Sequence, residues 1–340
     1  MWSFKPPIPT YFSPLNLPKK SMNSWISRVG TVSLVFGLVA CGAPKSDDST
    51  ASADKGLKVV TTFLPITLFT EAVAGDCATV TALIPPNLGP HDFQATPADV
   101  SALGKAQVLV KNGLDMEGFL DKMVESVDNS ELVVIDTSKG VATIDSPEGG
   151  HDDHDDDHDD DHGHGHGEIN PHIWLDPLRA VQQVENIRDG LIAADKSCEE
   201  GYTTNAASFV SQLKDLNTEF SAQLKPYAGK TFVAFHDFAP YFAQRYNLDA
   251  EYLVDLPEMN PSPADLQRVA AEVKSSELKA LLSEPQEGSQ SFNALAKDLG
   301  VEVVVFNPLE TGSEESARNP QTYLDVMREN VANLIKAIGG

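Results

Sequence analysis

Basic side chains are in short supply. The 340 residues hold 25 lysines and arginines against 50 aspartates and glutamates, a formal charge of −25. Such a surface repels polyanions and attracts cations, which excludes nucleic acid as a partner. Cysteine is scarcer still, with three residues and no CxxC-like cluster, which argues against a thiolate metal site of the zinc-finger kind. The apolar run Val29–Ala40 (VGTVSLVFGLVA) is too short to span a bilayer. HExxH is missing, as is GxSxG, which removes the usual signatures of a zinc protease and of an α/β-hydrolase. No EF-hand spacing occurs among the many aspartates, and no short internal repeat is visible.

What is present at the start is an export signal. Arg28 precedes the apolar run, which ends in Leu38-Val39-Ala40-Cys41-Gly42, similar to the lipobox in which bacteria acylate the cysteine and cleave before it. Residues 1–40 are read as a signal peptide, with Met22 as an alternative start of translation, and 41–56 as a lipidated flexible tail. Removing residues 1–40, which carry four basic residues and no acid, takes the charge from −25 to −29. Export implies an oxidising compartment. With Cys41 used for lipid, Cys77 and Cys198 are expected to form a disulfide, metal ligation being the rival.

From residue 57 onward strand and helix patterns alternate. LKVVTTFLPI (57–66) reads as a buried strand and TLFTEAVAG (67–75) as a helix; strands follow at 78–84, 107–113 and 132–138, with helices at 97–106 and 118–127. Helices are expected over 178–195 and about 202–225, the second with an apolar stripe of Phe209, Leu213, Leu216, Phe220 and Leu224. A second series then places strands at 231–236, 250–256, 280–285 and 301–307, with helices near 237–246, 263–275, 289–299 and 320–338. The expected fold class is α/β: two lobes, each a parallel sheet flanked by helices, joined by one long rigid helix. The lobes are set at 57–200 and 227–340, with 201–226 as the connector.

Six of the nine histidines crowd into GGHDDHDDDHDDDHGHGHG (149–167): His151, His154, His158, His162, His164 and His166, among eight aspartates. With no apolar side chain the tract has nothing to bury and reads as a solvated loop, an accessory metal binder of undefined geometry. The other three are His91 in LGPHDF, His172 in NPHIWLDP and His236 in VAFHDF. Each falls at a strand end or helix start, the edge where open α/β sheets bind ligands. Glu310, in NPLETG just past the last strand, joins them as a fourth candidate. Three imidazoles and a carboxylate suit tetrahedral zinc, whereas manganese prefers more oxygen. Asp237 could orient an imidazole or simply cap a surface. Three histidines with an open fourth position also describe a hydrolytic zinc site, but no dedicated general base is evident beyond Glu310, so an enzyme is not expected.

The lipobox, GPHDFQATPAD, the acidic histidine-rich insertion, NPHIWLDP, FVAFHDFAPYFAQRY, SEPQ and NPLE occur in the order seen in metal-binding lipoproteins of bacterial ABC importers. Over residues 57–340 the sequence resembles the zinc-specific, ZnuA-type solute-binding family. The resemblance implies that His91, His172 and His236 bind the metal; at the fourth position family members differ, some using a carboxylate near the last strand, for which Glu310 is the match here, and others leaving it to water or an acidic-loop residue. Manganese-binding relatives carry a carboxylate where this chain has His236, which points to Zn2+. It further implies limited lobe closure, an ABC permease as partner, and a monomer held at the membrane by lipidated Cys41, in a periplasm or on a cell surface. Manganese or iron capture is the runner-up; an adhesin is weaker, since no exposed aromatic or apolar binding patch is evident.

Overall fold

In the computed structural model, residues 56–91, 93–145, 169–257, 259–285 and 289–339 are described. The signal peptide, the alternative start at Met22, Cys41 with its tail to residue 55, and the acidic tract 149–167 lie outside them.

Strand β1 (Leu57–Thr61) is buried at four of its five positions, as a strand covered on both faces should be. It ends earlier than its apolar run does. Pro65 cannot donate to a ladder but fits the first turn of a helix, so α1 begins at Leu64 rather than at 67 and runs to Ala74. The rest of the first lobe is β2 (Ala78–Ala82), α2 (Pro97–Leu103), β3 (Val108–Lys111), α3 (Leu120–Ser126), β4 (Val133–Asp136) and α4 (Pro177–Ala194). After α5 (Glu199–Leu224) come β5 (Thr231–His236), α6 (Pro240–Tyr246), β6 (Asp249–Val254), α7 (Pro263–Ser275), β7 (Ala280–Ser283), α8 (Ser289–Leu299), β8 (Glu302–Val305) and α9 (Gln321–Gly339).

All strand pairs within the two sheets are parallel, and the sheets share one topology: β2-β1-β3-β4 and β6-β5-β7-β8. In each, the chain leaves the first strand to one side and returns on the other. That creates a topological switch point between β1 and β3, and again between β5 and β7, at the carboxyl ends where ligands bind.

Helix α5 joins the halves. Its buried stripe runs from Tyr202 through Phe209, Leu213, Leu216 and Phe220 to Leu224. Phe209 meets Phe69 of α1 at 6.0 Å between ring centres, and Phe220 meets Tyr246 of α6 at 6.1 Å. The two sheets therefore do not have separate cores: one buried cluster continues from Val59 and Phe69 through α4 and α5 to Phe232, Phe306 and Met327. A smaller cluster, including Leu103, Leu109 and Leu120, lies within the first lobe. Cys77, after α1, is bonded to Cys198, just before α5, with 6.0 Å between the Cα atoms and a sequence separation of 121. Among the described residues no helix is long and apolar enough to cross a membrane.

Candidate metal centre

Four ligand-bearing segments converge where the two carboxyl edges face each other. His91 lies on the loop between β2 and α2, whose base is fixed by Leu83 and Ile84 N–H groups donating to the Thr61 and Thr62 carbonyls. Gly312 N–H donates to the Pro86 carbonyl at 2.5 Å, tying this loop to the chain just beyond Glu310. His172 precedes a tight turn, Ile173–Leu175, and then Asp176, whose side chain caps α4 by accepting from Leu178 N–H. His236 is the last residue of β5. Glu310 follows β8.

The structure brings His91, His172, His236 and Glu310 together, one donor atom from each lying within 4.8 Å of the others. Glu310 Oε1 is 3.1 Å from His172 Nε2, 3.5 Å from His236 Nε2 and 3.6 Å from His91 Nε2. The Nε2 atoms of His172 and His236 are 3.3 Å apart. Four ligands about 2.0 Å from a tetrahedral zinc ion would stand about 3.3 Å from one another, so these separations match a zinc polyhedron. His172 and His236 are fully buried, while the His91 side chain keeps 9% of its surface exposed, which makes the His91 loop the solvent side of the centre.

Two further residues hold the imidazoles. Ala234 pairs with Leu282 across β5 and β7, so two residues on His236 stands beside Glu284. Glu284 Oε1 accepts from His236 Nδ1 at 2.6 Å and from its backbone N–H at 3.2 Å, leaving Nε2 to face the cleft. Asn170 Oδ1 accepts from His172 Nδ1 at 3.0 Å and from its backbone N–H at 3.1 Å. The Asn170 amide in turn donates to the carbonyl and carboxylate of Asp237, at 2.8 and 3.1 Å, which fixes which way the amide faces. Asp237 is thus neither a surface cap nor a direct partner of a ligand imidazole; it acts one step further out, through Asn170. Glu284 and Asn170 are the supporting residues that sequence reasoning missed. The signal for Glu284 was a carboxylate closing the otherwise apolar run ALLSEP in register with His236. Asn170 carried none beyond lying two residues before His172.

The electrostatics divide the imidazoles. Burial pushes His172 down to about 4, so it is neutral at physiological pH. Burial also opposes charge on His236, but Glu284 and Glu310 outweigh it and push this imidazole up to about 10. Burial likewise works against an ionised Glu310, yet the neighbouring His236 and His91 hold its carboxyl well below the usual range. His172 Nε2 and Glu310 Oε1 lie 3.1 Å apart, close enough to share a proton or a cation between them.

The chain matches the family described as "Zinc-uptake complex component A periplasmic" over residues 59–337. It belongs to that family. It is 33% identical over 307 residues to the high-affinity zinc uptake system protein ZnuA of Bacillus subtilis, covering 90% of this chain and 95% of that one. It is 33% identical over 298 residues to the zinc-binding lipoprotein AdcA of Streptococcus pneumoniae, covering 87% of this chain but spanning only 58% of that longer relative. Among solved structures, the Zn(II)-bound ZnuA-like domain of S. pneumoniae AdcA superposes with a TM-score of 0.69 at 30% identity, over 84% of this chain and all of that domain. As in solute-binding proteins of this family, two parallel sheets flanked by helices meet across one long helix.

Proposed function

We propose that this chain captures zinc outside the cytoplasmic membrane and delivers it to an ABC permease for uptake. The observation that carries the reading is the convergence of three imidazoles and one carboxylate at the spacing of a tetrahedral zinc shell. His91, His172, His236 and Glu310 are its ligands, with zinc as cargo. The imidazole at 236 favours zinc over manganese or iron, since harder cations gain more from oxygen. The family is that of a zinc-uptake complex component, which supports binding and delivery as the role of the centre.

The relatives named lipoproteins of zinc uptake support an exported protein. In this chain the anchor is lipidated Cys41, which leaves a monomer tethered at the membrane surface near its permease. The tract 149–167 serves as a lower-affinity zinc collector, because flexible ligands lose freedom on binding that a preformed centre has already given up. The described residues on either side of it pair with each other: Asp145 bridges Ile169, and Asn170 N–H donates to the Ile144 carbonyl at 3.0 Å, two residues from His172.

The test is a competition titration of zinc against manganese on mature protein lacking residues 149–167. One tight zinc per chain that manganese fails to displace is the expected result. Loss of all tight binding would move the primary site into the tract and sink the assignment of His91, His172 and His236.

A further inference from the structure

Glu310 reaches the imidazoles from a turn whose backbone has no intrinsic reason to adopt its shape. Leu309, the residue before it, has φ of 66°, the left-handed region that a leucine rarely enters. Such a conformation persists only where the surroundings over-determine it. Here they do so from two directions. Leu309 N–H donates to Asn307 Oδ1 at 2.8 Å, while Asn330 of α9 clasps Asn307 on both sides, accepting from its N–H at 2.7 Å and donating to its carbonyl at 2.8 Å. From the other lobe, Trp174 Nε1 donates to the Pro308 carbonyl at 2.8 Å. Trp174 is itself fixed, because Tyr323 of α9 donates to its carbonyl at 2.6 Å, and it lies two residues after His172. Trp174, Leu309, Tyr323 and Asn330 are all buried.

The consequence is a carboxylate presented by one oxygen. The same atom, Oε1, lies 3.1 to 3.6 Å from the Nε2 atoms of all three imidazoles. A carboxylate so held contributes one ligand and closes a four-coordinate shell. One free to rotate would offer both oxygens and accommodate a cation that wants more of them. We infer that Trp174 and Asn330 are positioning residues that hold Glu310 one-oxygen-on to the metal and thereby set the preference for zinc over manganese. This rests on the reading of Glu310 as a ligand.

The experiment measures zinc and manganese affinity, and the visible absorption of the Co2+-loaded protein, for the Trp174→Phe and Asn330→Ala variants of the mature chain. Each is made alone and on a Glu310→Gln background. Supporting residues of a metal shell are worth about 10- to 100-fold in affinity, and each single variant is expected to lose zinc affinity in that range. Manganese affinity should change less, so the zinc-to-manganese ratio falls, and the intense tetrahedral Co2+ bands should weaken. In the double variants that carry Glu310→Gln, neither substitution should cost anything more, because what it positions is gone. A loss that persists undiminished in those double variants would mark Trp174 and Asn330 as merely structural and overturn the inference, as would an unchanged ratio and spectrum in both singles. If Glu310→Gln alone leaves zinc affinity and the Co2+ spectrum intact, the ligand reading itself fails, and the inference with it.

Discussion

At the gap between β5 and β7 a buried carboxylate, Glu284, accepts from His236 and turns it toward the cleft. At the equivalent gap between β1 and β3 another buried carboxylate, Glu117, accepts from the Thr62 hydroxyl at 2.7 Å and from the Asn112 and Gly113 N–H groups at 2.7 and 3.1 Å. The sheets have the same strand order, and both switch points are closed by a glutamate. Yet of the two, Glu284 supports an imidazole of the proposed centre, and Glu117 holds backbone and a hydroxyl. The first lobe instead brings its two imidazoles in on long connections, the His91 loop and the segment around Asn170. A repeated topology thus supplies equivalent places without equivalent duties, and burial of a carboxylate marks the place rather than the duty.

The comparison is broken most severely by removing the ligand that Glu284 serves. His236→Ala should lower zinc affinity by more than the about 100-fold that bounds a supporting residue, measured by chelator competition. A change below tenfold would put His236 outside the shell. Glu284→Gln keeps the shape but not the charge, and should cost about 10- to 100-fold in zinc affinity in the same assay. Glu117→Gln should leave zinc affinity alone and act on folding.

The sign of that folding effect follows from burial, which outweighs its hydrogen bonds and the nearby Lys111 and pushes Glu117 up from 4.5 to about 6. The folded chain then holds this proton more tightly than the unfolded one. Its contribution is fully present below pH 4.5 and is lost as pH rises through 6, by about 2 kcal/mol. Urea unfolding of the native protein minus that of Glu117→Gln, at pH 4.5 and pH 7.5, should reveal that slope. An identical pH dependence in the two proteins would rule it out. The smallest effect is a proton count. With His236 at about 10, the metal-free protein carries a proton there at pH 7.5, and zinc should displace about one, weakening affinity as pH falls. Calorimetry in buffers of different ionisation enthalpy reads the number, and Glu284→Gln should reduce it.

The alternation of strand and helix was legible because buried parallel strands such as LKVV and FVAF read as unbroken apolar runs, separated by amphipathic stretches with proline at their starts. Where the run crossed Pro65, apolarity concealed the change from strand to helix, and only the proline marked it. Strand order was not legible, since it is decided by which edges pack and not by anything local. Likewise the shared core appears only once α5 is seen resting on both halves. Of the centre, the histidines and Glu310 stood out by residue type at strand ends. Asn170 and Glu284 did not, because a second layer is recognised by what it touches, and Asp237, next in sequence to His236, proved to serve His172 through Asn170.

The continuous core has one more implication. Halves that share their packing cannot swing apart without wetting it, so binding at the proposed centre is expected to change the outline little. Under the proposed function, loading is expected to change the balance of charge at the cleft: a dication enters and about one proton leaves, which makes the mouth between the lobes more positive on a body that is otherwise strongly negative.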